Sequence, residues 1–376
     1  MKLTTSLALV AVNTLALVHA QNSSSPTVNL GYAHYRGTVN ASLGVTTYFG
    51  IRYAQPPVGE LRFRAPLDIE RNNNYSSGSV IDATTQGPIC IQGTPSWNNA
   101  SGIPSVQPGS EDCLLLDVLT PETPSGTNLP VLVQIHGGGY AAGNSESYPG
   151  YALVNQSQGG LIYISIQYRL NAFGFLNSAE VRQNGNGNAG LLDQRSALNW
   201  IQRNVRSFGG DPSKVTIIGG SAGGGSVMNQ MILFGGEPNP PFRAVISEYP
   251  WCMYHPSTAE AALSVLLTNL FLLPGQPFHN QTTLDTQYRQ VLTAANCSDI
   301  QCLRTISSQQ LDIASQSAQL TGYSSQPMDY GYGDFYYGPS VDGEYIRDLP
   351  SNEFKQGHFS KVPLLVDHDG YEGESL

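Results

Sequence analysis

The chain has 376 residues, of which 40% are hydrophobic and only 12% charged, and its formal net charge is −10. A weakly charged, acidic chain without a basic run excludes nucleic acid as a partner and offers no polybasic footing on an anionic membrane. The length suits one large α/β domain with a buried core.

The first 20 residues carry one positive charge, Lys2, then an apolar run at 7–17 and small residues ending at Ala20. That is the layout of a secretory signal cleaved after Ala20, and the run is too short to span a bilayer. Residues 1–20 are therefore expected to be a signal peptide, and residues 21–376 one secreted domain. No later segment reads as a transmembrane anchor. The most apolar, 261–273, is short and interrupted by Ser264, Thr268 and Asn269. Glycosylation sequons begin at Asn22, Asn40, Asn74, Asn99, Asn155, Asn280 and Asn296, as on the loops of a secreted glycoprotein. Five cysteines are present, Cys90, Cys113, Cys252, Cys297 and Cys302. In an oxidising compartment they allow two pairs and one left over, and none has metal-site spacing. No metal or other cofactor is expected.

Strand-like runs recur at 130–135, 161–167, 215–218, 244–247 and 362–366, with helix-like segments such as 191–205 between several of them. Residues 71–79 and 184–188 read as surface loops. Alternating strands and helices predict an α/β fold with a mainly parallel central sheet.

Two glycine-rich stretches follow apolar strands. After the strand at 214–218 come Gly219, Ser221 and Gly223, the pattern G-x-S-x-G, then a helix-like run at 227–234. Such a serine sits on a sharp strand-to-helix turn, where the backbone N–H groups of the next helix point at the reacting oxygen. By itself the motif reads equally well as a glycine-rich turn. After the strand at 130–135 comes His136-Gly137-Gly138-Gly139, a backbone free of side chains that can approach a substrate closely.

Longer passages carry a family pattern. They are YFGIRYAQPPVGELRFRAP at 48–66, EDCLLLDVLTP at 111–121, HGGGY at 136–140, the block at 188–227, CLR at 302–304 and GPSVDG at 338–343. Together they resemble the type-B carboxylesterases, the group within the α/β-hydrolase fold that includes cholinesterases and fungal lipases. The resemblance covers essentially the whole mature chain. It implies a central, mostly parallel sheet with flanking helices, and hydrolysis of small-molecule carboxylic esters through an acyl-enzyme at Ser221. It further implies oxyanion N–H groups from Gly138, Gly139 and Ala222, and a triad acid at Glu372, ahead of its neighbour Glu374. Disulfides Cys90–Cys113, around a loop holding Trp97, and Cys297–Cys302 come from the same resemblance, leaving Cys252 unpaired. So do internal ion pairs joining Arg62 to Glu111 and Arg169 to Asp193.

Two departures stand out. The family commonly has Gln-Ser-Gly after the strand at 244–247, where this chain has Glu248-Tyr249-Pro250, which bears on the shape of the acyl pocket. Only Gly373 to Leu376 follow the acid, and the family's histidine lies further on. His34, His255, His279 and His358 precede the acid and match no base motif, and His368 reads as a solvated loop residue. The chain thus resembles an esterase whose C-terminal part is missing. On their own these residues are expected to lack a general base, a loss of about 10⁶ in kcat in a comparable hydrolase. They are also expected to leave the apolar 362–366 facing water. A non-catalytic cholinesterase-like binding protein is the alternative, but such relatives usually lose the serine or the oxyanion glycines, which this chain keeps. The short, polar segment between Cys90 and Cys113 favours soluble esters over long-chain lipids, since a lipase lid needs a large apolar face.

Overall fold

β-Branched residues at 129–135 and the unbroken Ile-Tyr-Ile-Ser-Ile of 162–166 form two adjacent parallel strands with almost every side chain buried. Burial on both faces is what turns strand alternation into a continuous apolar run. The computed structural model describes residues 25–71, 73–76, 78–95, 102–250, 278–325, 330 and 334–369. Its strands are β1 (Thr27–Asn29), β2 (His34–Arg36), β3 (Thr38–Asn40), β4 (Val45–Arg52), β5 (Val80–Asp82) and β6 (Leu115–Pro121). They continue with β7 (Leu129–Ile135), β8 (Ile162–Ile166), β9 (Gly210–Gly220), β10 (Ala244–Glu248) and β11 (Leu364–Val366).

Among the described residues, β1, β2 and β5 make a small three-stranded sheet, and the other strands an eight-stranded one ordered β3-β4-β6-β8-β7-β9-β10-β11. Pairing is parallel from β8 to β11 and antiparallel from β8 back to β3. The expected α/β architecture is present, with an antiparallel arm that the parallel-sheet expectation did not separate out. Helices α1 (Tyr151–Gln156), α2 (Asn171–Phe175), α3 (Ala179–Asn184), α4 (Ala189–Asn204) and α5 (Ala222–Ile232) lie between the central strands in sequence. After β10 come α6 (Gln281–Ala295), α7 (Ile300–Thr305), α8 (Ser308–Ser325) and α9 (Pro350–Gln356). Helix α4 buries Leu191, Leu198, Trp200 and Ile201, and α5 buries Val227, Met231 and Ile232, all in one core. None of the described helices is long and apolar enough to cross a membrane.

β7 is the strand that positions the site. The chain leaves β7, makes β8 on one side and later returns to make β9 on the other. At such a switch point the loops leaving adjacent strands diverge and open a crevice at their carboxyl ends. The loops in question are those leaving β7 at Ile135 and β9 at Gly220.

Several boundaries differ from the sequence expectation. β9 begins at Gly210 because Leu129 pairs with Gly210 across an irregularity before Val131 meets Val215. α5 begins at Ala222, before the apolar run at 227, because the small residues between let the helix start hard against the sheet. α3 takes in Asn184, the first residue of the expected loop 184–188. The strand expected at 362–366 is β11 at the sheet edge, with Leu364, Leu365 and Val366 exposed by 42%, 63% and 47%.

Disulfides join Cys90 to Cys113 and Cys297 to Cys302. Cys252 and Trp97 lie outside the described residues. So do the sequon asparagines Asn22 and Asn99, while Asn74, Asn155, Asn280 and Asn296 are exposed and Asn40 is half-buried. The guanidinium of Arg62 holds Glu111 with two hydrogen bonds of 2.7 and 2.6 Å and also reaches the carbonyl of Ile306. Arg169 grips Asp193 through Nε and Nη2 at 2.7 Å each, and Asp193 also accepts the Arg169 backbone N–H. Both partners are buried. Removing one member of a buried pair strands the other charge, so Asp193→Ala should cost about 3–5 kcal/mol in urea unfolding. A loss under 1 kcal/mol would show that Arg169 is solvated in the folded state.

Candidate active site

At the end of β9 the chain turns sharply through Ser221, whose φ of 56° and ψ of −125° lie outside the ordinary L-residue regions. A residue held there is strained by about 1–3 kcal/mol and persists only when its surroundings over-determine it. The surroundings are close. A Cβ on Gly223 would stand 2.2 Å from the Ile135 carbonyl oxygen, and one on Gly219 would stand 2.5 Å from the Gly223 carbonyl. A Cβ on Gly137 would meet the Gly220 carbonyl at 2.6 Å and the Ser221 Cβ at 3.2 Å. Backbone therefore packs on backbone at the elbow, and only glycine fits at these positions. The Ser221 N–H donates to the Glu248 carbonyl at 3.1 Å, and the Ser221 carbonyl accepts from Gly225 at 2.9 Å.

The loop leaving β7 lies beside this turn. Gly138 and Gly139 have φ of 101° and 64°, and the Gly138 carbonyl accepts from the N–H groups of Ala141 and Ala142. Those hydrogen bonds fold the loop back on itself and leave its leading N–H groups free. Among the described residues the N–H groups of Gly138, Gly139 and Ala222 donate to no protein acceptor. Ala222 is the first residue of α5, where helix N–H groups are unsatisfied and the dipole is positive. The structure thus brings Ser221, Gly138, Gly139 and Ala222 to one place. Glu372 lies outside the described residues.

Side chains that the motifs did not reveal hold this loop. The Gln92 amide accepts from Gly143 N–H at 2.7 Å and donates to the Gly143 carbonyl at 3.0 Å, tying the Cys90–Cys113 segment to the glycine loop. Asn171 donates to the Ala141 carbonyl at 2.9 Å. Tyr168 donates to the His136 carbonyl at 2.8 Å and stacks on the His136 ring with centroids 4.4 Å apart. None of these residues belongs to a local motif, so the sequence offered no signal for them.

No base for the serine emerges from the described histidines that flank the site. His136 is buried, its Nδ1 donates to the Gly137 carbonyl at 2.9 Å, and its Nε2 has no hydrogen-bond partner. His368 is exposed, as expected of a loop residue, with its Nδ1 directed at the Asp369 carbonyl. A cavity of about 220 Å³ lined by Phe49, Asp117, Glu146, Tyr151 and Tyr163 contains none of the candidate site residues. Burial there pushes the Asp117 carboxyl up to about 6. Among the described residues no cluster of three or more His, Cys, Asp or Glu side chains could hold a metal.

An eight-stranded sheet, parallel through its centre, with a strained serine between β9 and α5 defines an α/β-hydrolase fold. The chain matches the carboxylesterase family over residues 24–375 and belongs to it. It is 32% identical to Lipase 4 of Diutina rugosa, covering 93% of this chain and 63% of that protein. It is also 32% identical to Carboxylesterase patB of Aspergillus clavatus, over 94% of this chain and 66% of the relative. The crystal structure of Aspergillus niger EstA superposes with a TM-score of 0.72 at 33% identity, covering 91% of this chain and 59% of EstA. The chain thus spans under two thirds of the length of each of these relatives.

His136 makes the loop sensitive to acid. Burial pushes its pKa down to about 4, from an ordinary 6.5. As pH falls through 6.5 the unfolded chain takes up a proton that the native state refuses until about 4. The stability from a neutral His136 is therefore complete above pH 6.5 and is lost towards pH 4, by about 3 kcal/mol. Asparagine can replace the Nδ1 donor but does not titrate. Urea unfolding of wild type and His136→Asn should accordingly show a wild-type advantage that shrinks by about that amount between pH 7 and 4. An advantage constant over this range would mean that His136 protonates freely in the folded protein.

Proposed function

We propose that the protein is a secreted serine carboxylic ester hydrolase that works through an acyl-enzyme at Ser221. The observation that carries this reading is the strained Ser221, packed against a glycine loop whose Gly138 and Gly139 N–H groups have no protein acceptor among the described residues. In this reading the serine oxygen attacks the ester carbonyl carbon and its proton passes to a base. The carbonyl oxygen becomes an oxyanion held by Gly138, Gly139 and Ala222. The alcohol leaves with the proton, and water then attacks the acyl-serine to release the acid. Each oxyanion donor is worth roughly 3–4 kcal/mol where one has been removed from other serine hydrolases. Glu372 orients the base, a role that no histidine of these 376 residues is assigned. The signal-like residues 1–20, the two disulfides and the exposed sequon asparagines support secretion and glycosylation.

Relatives named as lipases and as carboxylesterases share the scaffold, so acyl-chain preference belongs to this chain's own pocket. The reading favours soluble esters, because the Cys90–Cys113 segment is short and rich in Ser, Asn, Gly and Pro, whereas a lipase lid needs a large apolar face. Expressed from its native gene in its own host, the protein should hydrolyse p-nitrophenyl acetate, and Ser221→Ala should lower kcat by about 10⁶. Equal turnover in the variant would discard the assignment, whereas no turnover in the wild type would favour a binding protein.

A further inference from the structure

The turn after β10 carries a side chain that the catalytic reading leaves unused. Tyr249 has φ of 33°, a left-handed backbone that costs a non-glycine residue about 1–2 kcal/mol. Its N–H donates to Asp367 Oδ1 at 3.0 Å, just past β11. The phenol lies over the nucleophile turn: a Cβ on Gly220 would stand 2.5 Å from its hydroxyl oxygen and 2.6 Å from the ring carbon bearing it. Tyr148, on the loop that follows the glycine-rich turn, acts electrostatically on the same hydroxyl. Tyr148 is anchored in turn, because its carbonyl accepts from the Tyr163 hydroxyl.

We propose that Tyr249 is a specificity-determining residue that walls the pocket for the acyl group on Ser221 and restricts it to short chains. Two observations fix it: a strained backbone held by Asp367 and a ring seated on Gly220. A side chain held in this way cannot swing aside without losing both, so it acts as a wall and not as a gate. Burial, reinforced by Tyr148 and the nearby carboxylates, pushes the phenol up to about 12. The wall therefore stays uncharged at working pH and presents a ring face and one hydroxyl to the substrate. A longer acyl chain would have to occupy the volume of the ring.

The inference rests on the serine hydrolase reading, and its test separates the two. The protein expressed from its native gene in its own host is assayed on p-nitrophenyl acetate, butyrate, octanoate and laurate. Wild type, Ser221→Ala, Tyr249→Ala, Tyr249→Ser and Tyr249→Phe are compared. In the alanine and serine variants the ratio of kcat/KM for octanoate over acetate should rise at least tenfold, to ~10–200-fold, the range for filling or emptying methylene-sized pocket volume. Tyr249→Phe should keep the wild-type ratio, since the ring fills the space. Thermal melts identify any variant that fails to fold, and either small replacement alone carries the test. An unchanged ratio in the folded small variants overturns the wall, as does a phenylalanine variant as permissive as alanine. No Ser221-dependent turnover of any ester in wild type instead overturns the hydrolase reading, and the wall falls with it.

Discussion

Everything at this site depends on backbone packing against backbone where β7, β9 and α5 meet. The Ile135 carbonyl oxygen lies where a Cβ on Gly223 would go, and the Gly220 carbonyl lies where a Cβ on Gly137 would go. One added methyl group at either position forces apart two main chains, which, unlike side chains, have no rotamer to escape into. That contact lets Ser221 hold a φ of 56°, because the strand before it and the helix after it are both wedged. It also sets the glycine loop beside the start of α5, so that N–H groups of both without a protein acceptor among the described residues lie near Ser221. Electrostatic stabilisation of a developing oxyanion is strongest when such donors are already in place.

A second layer holds the glycine loop without touching Ser221. Gln92 clamps both backbone groups of Gly143, Asn171 takes the Ala141 carbonyl, and Tyr168 takes the His136 carbonyl. Three glycines in a row have little intrinsic preference for one conformation, so order in this loop has to be imposed from outside. The clamps come from two different parts of the chain, and Gln92 sits two residues from the Cys90–Cys113 disulfide. Covalent closure of that segment and hydrogen-bonded closure of the glycine loop thus reinforce each other. Neutral His136 belongs to the same layer: stacked on Tyr168 and buried, it supports the loop through one N–H and carries no charge.

What could be read from the sequence was whatever lies close together along the chain. The strand cores at 130–135 and 244–247, the serine pattern and the glycine loop are local, and the chain places them in strands β7 and β10 and in the turns leaving β9 and β7. Longer family-like passages added the Cys90–Cys113 and Cys297–Cys302 pairs and the Arg62–Glu111 and Arg169–Asp193 ion pairs, all of which are formed. What could not be read depends on sheet order. Gln92 meets Gly143, and Tyr249 meets Gly220, only because β6, β8, β7, β9 and β10 lie side by side in that order. No periodicity in either segment announces such a meeting. The early start of β9 was hidden for a related reason. Gly210, Asp211 and Pro212 read as a turn, and only pairing with Leu129 makes a strand of them.

The edge strand β11 links this interior arrangement to the surface. Its three residues are well exposed, yet the hydrogen bonds around it lead inward. Val245 N–H donates to the Pro363 carbonyl, Asp367 N–H donates to the Ser247 carbonyl, and the Asp367 carboxylate takes the Tyr249 N–H. The Glu248 carbonyl, one residue before Tyr249, in turn holds the Ser221 N–H. A displacement of β11 would therefore release first Tyr249 and then the turn that fixes the backbone of Ser221. Edge strands are ordinarily the least protected part of a sheet. Here the apolar side chains of Leu364, Leu365 and Val366 are exposed while the strand's backbone steadies the Ser221 turn, so the geometry at Ser221 depends on an edge that meets solvent.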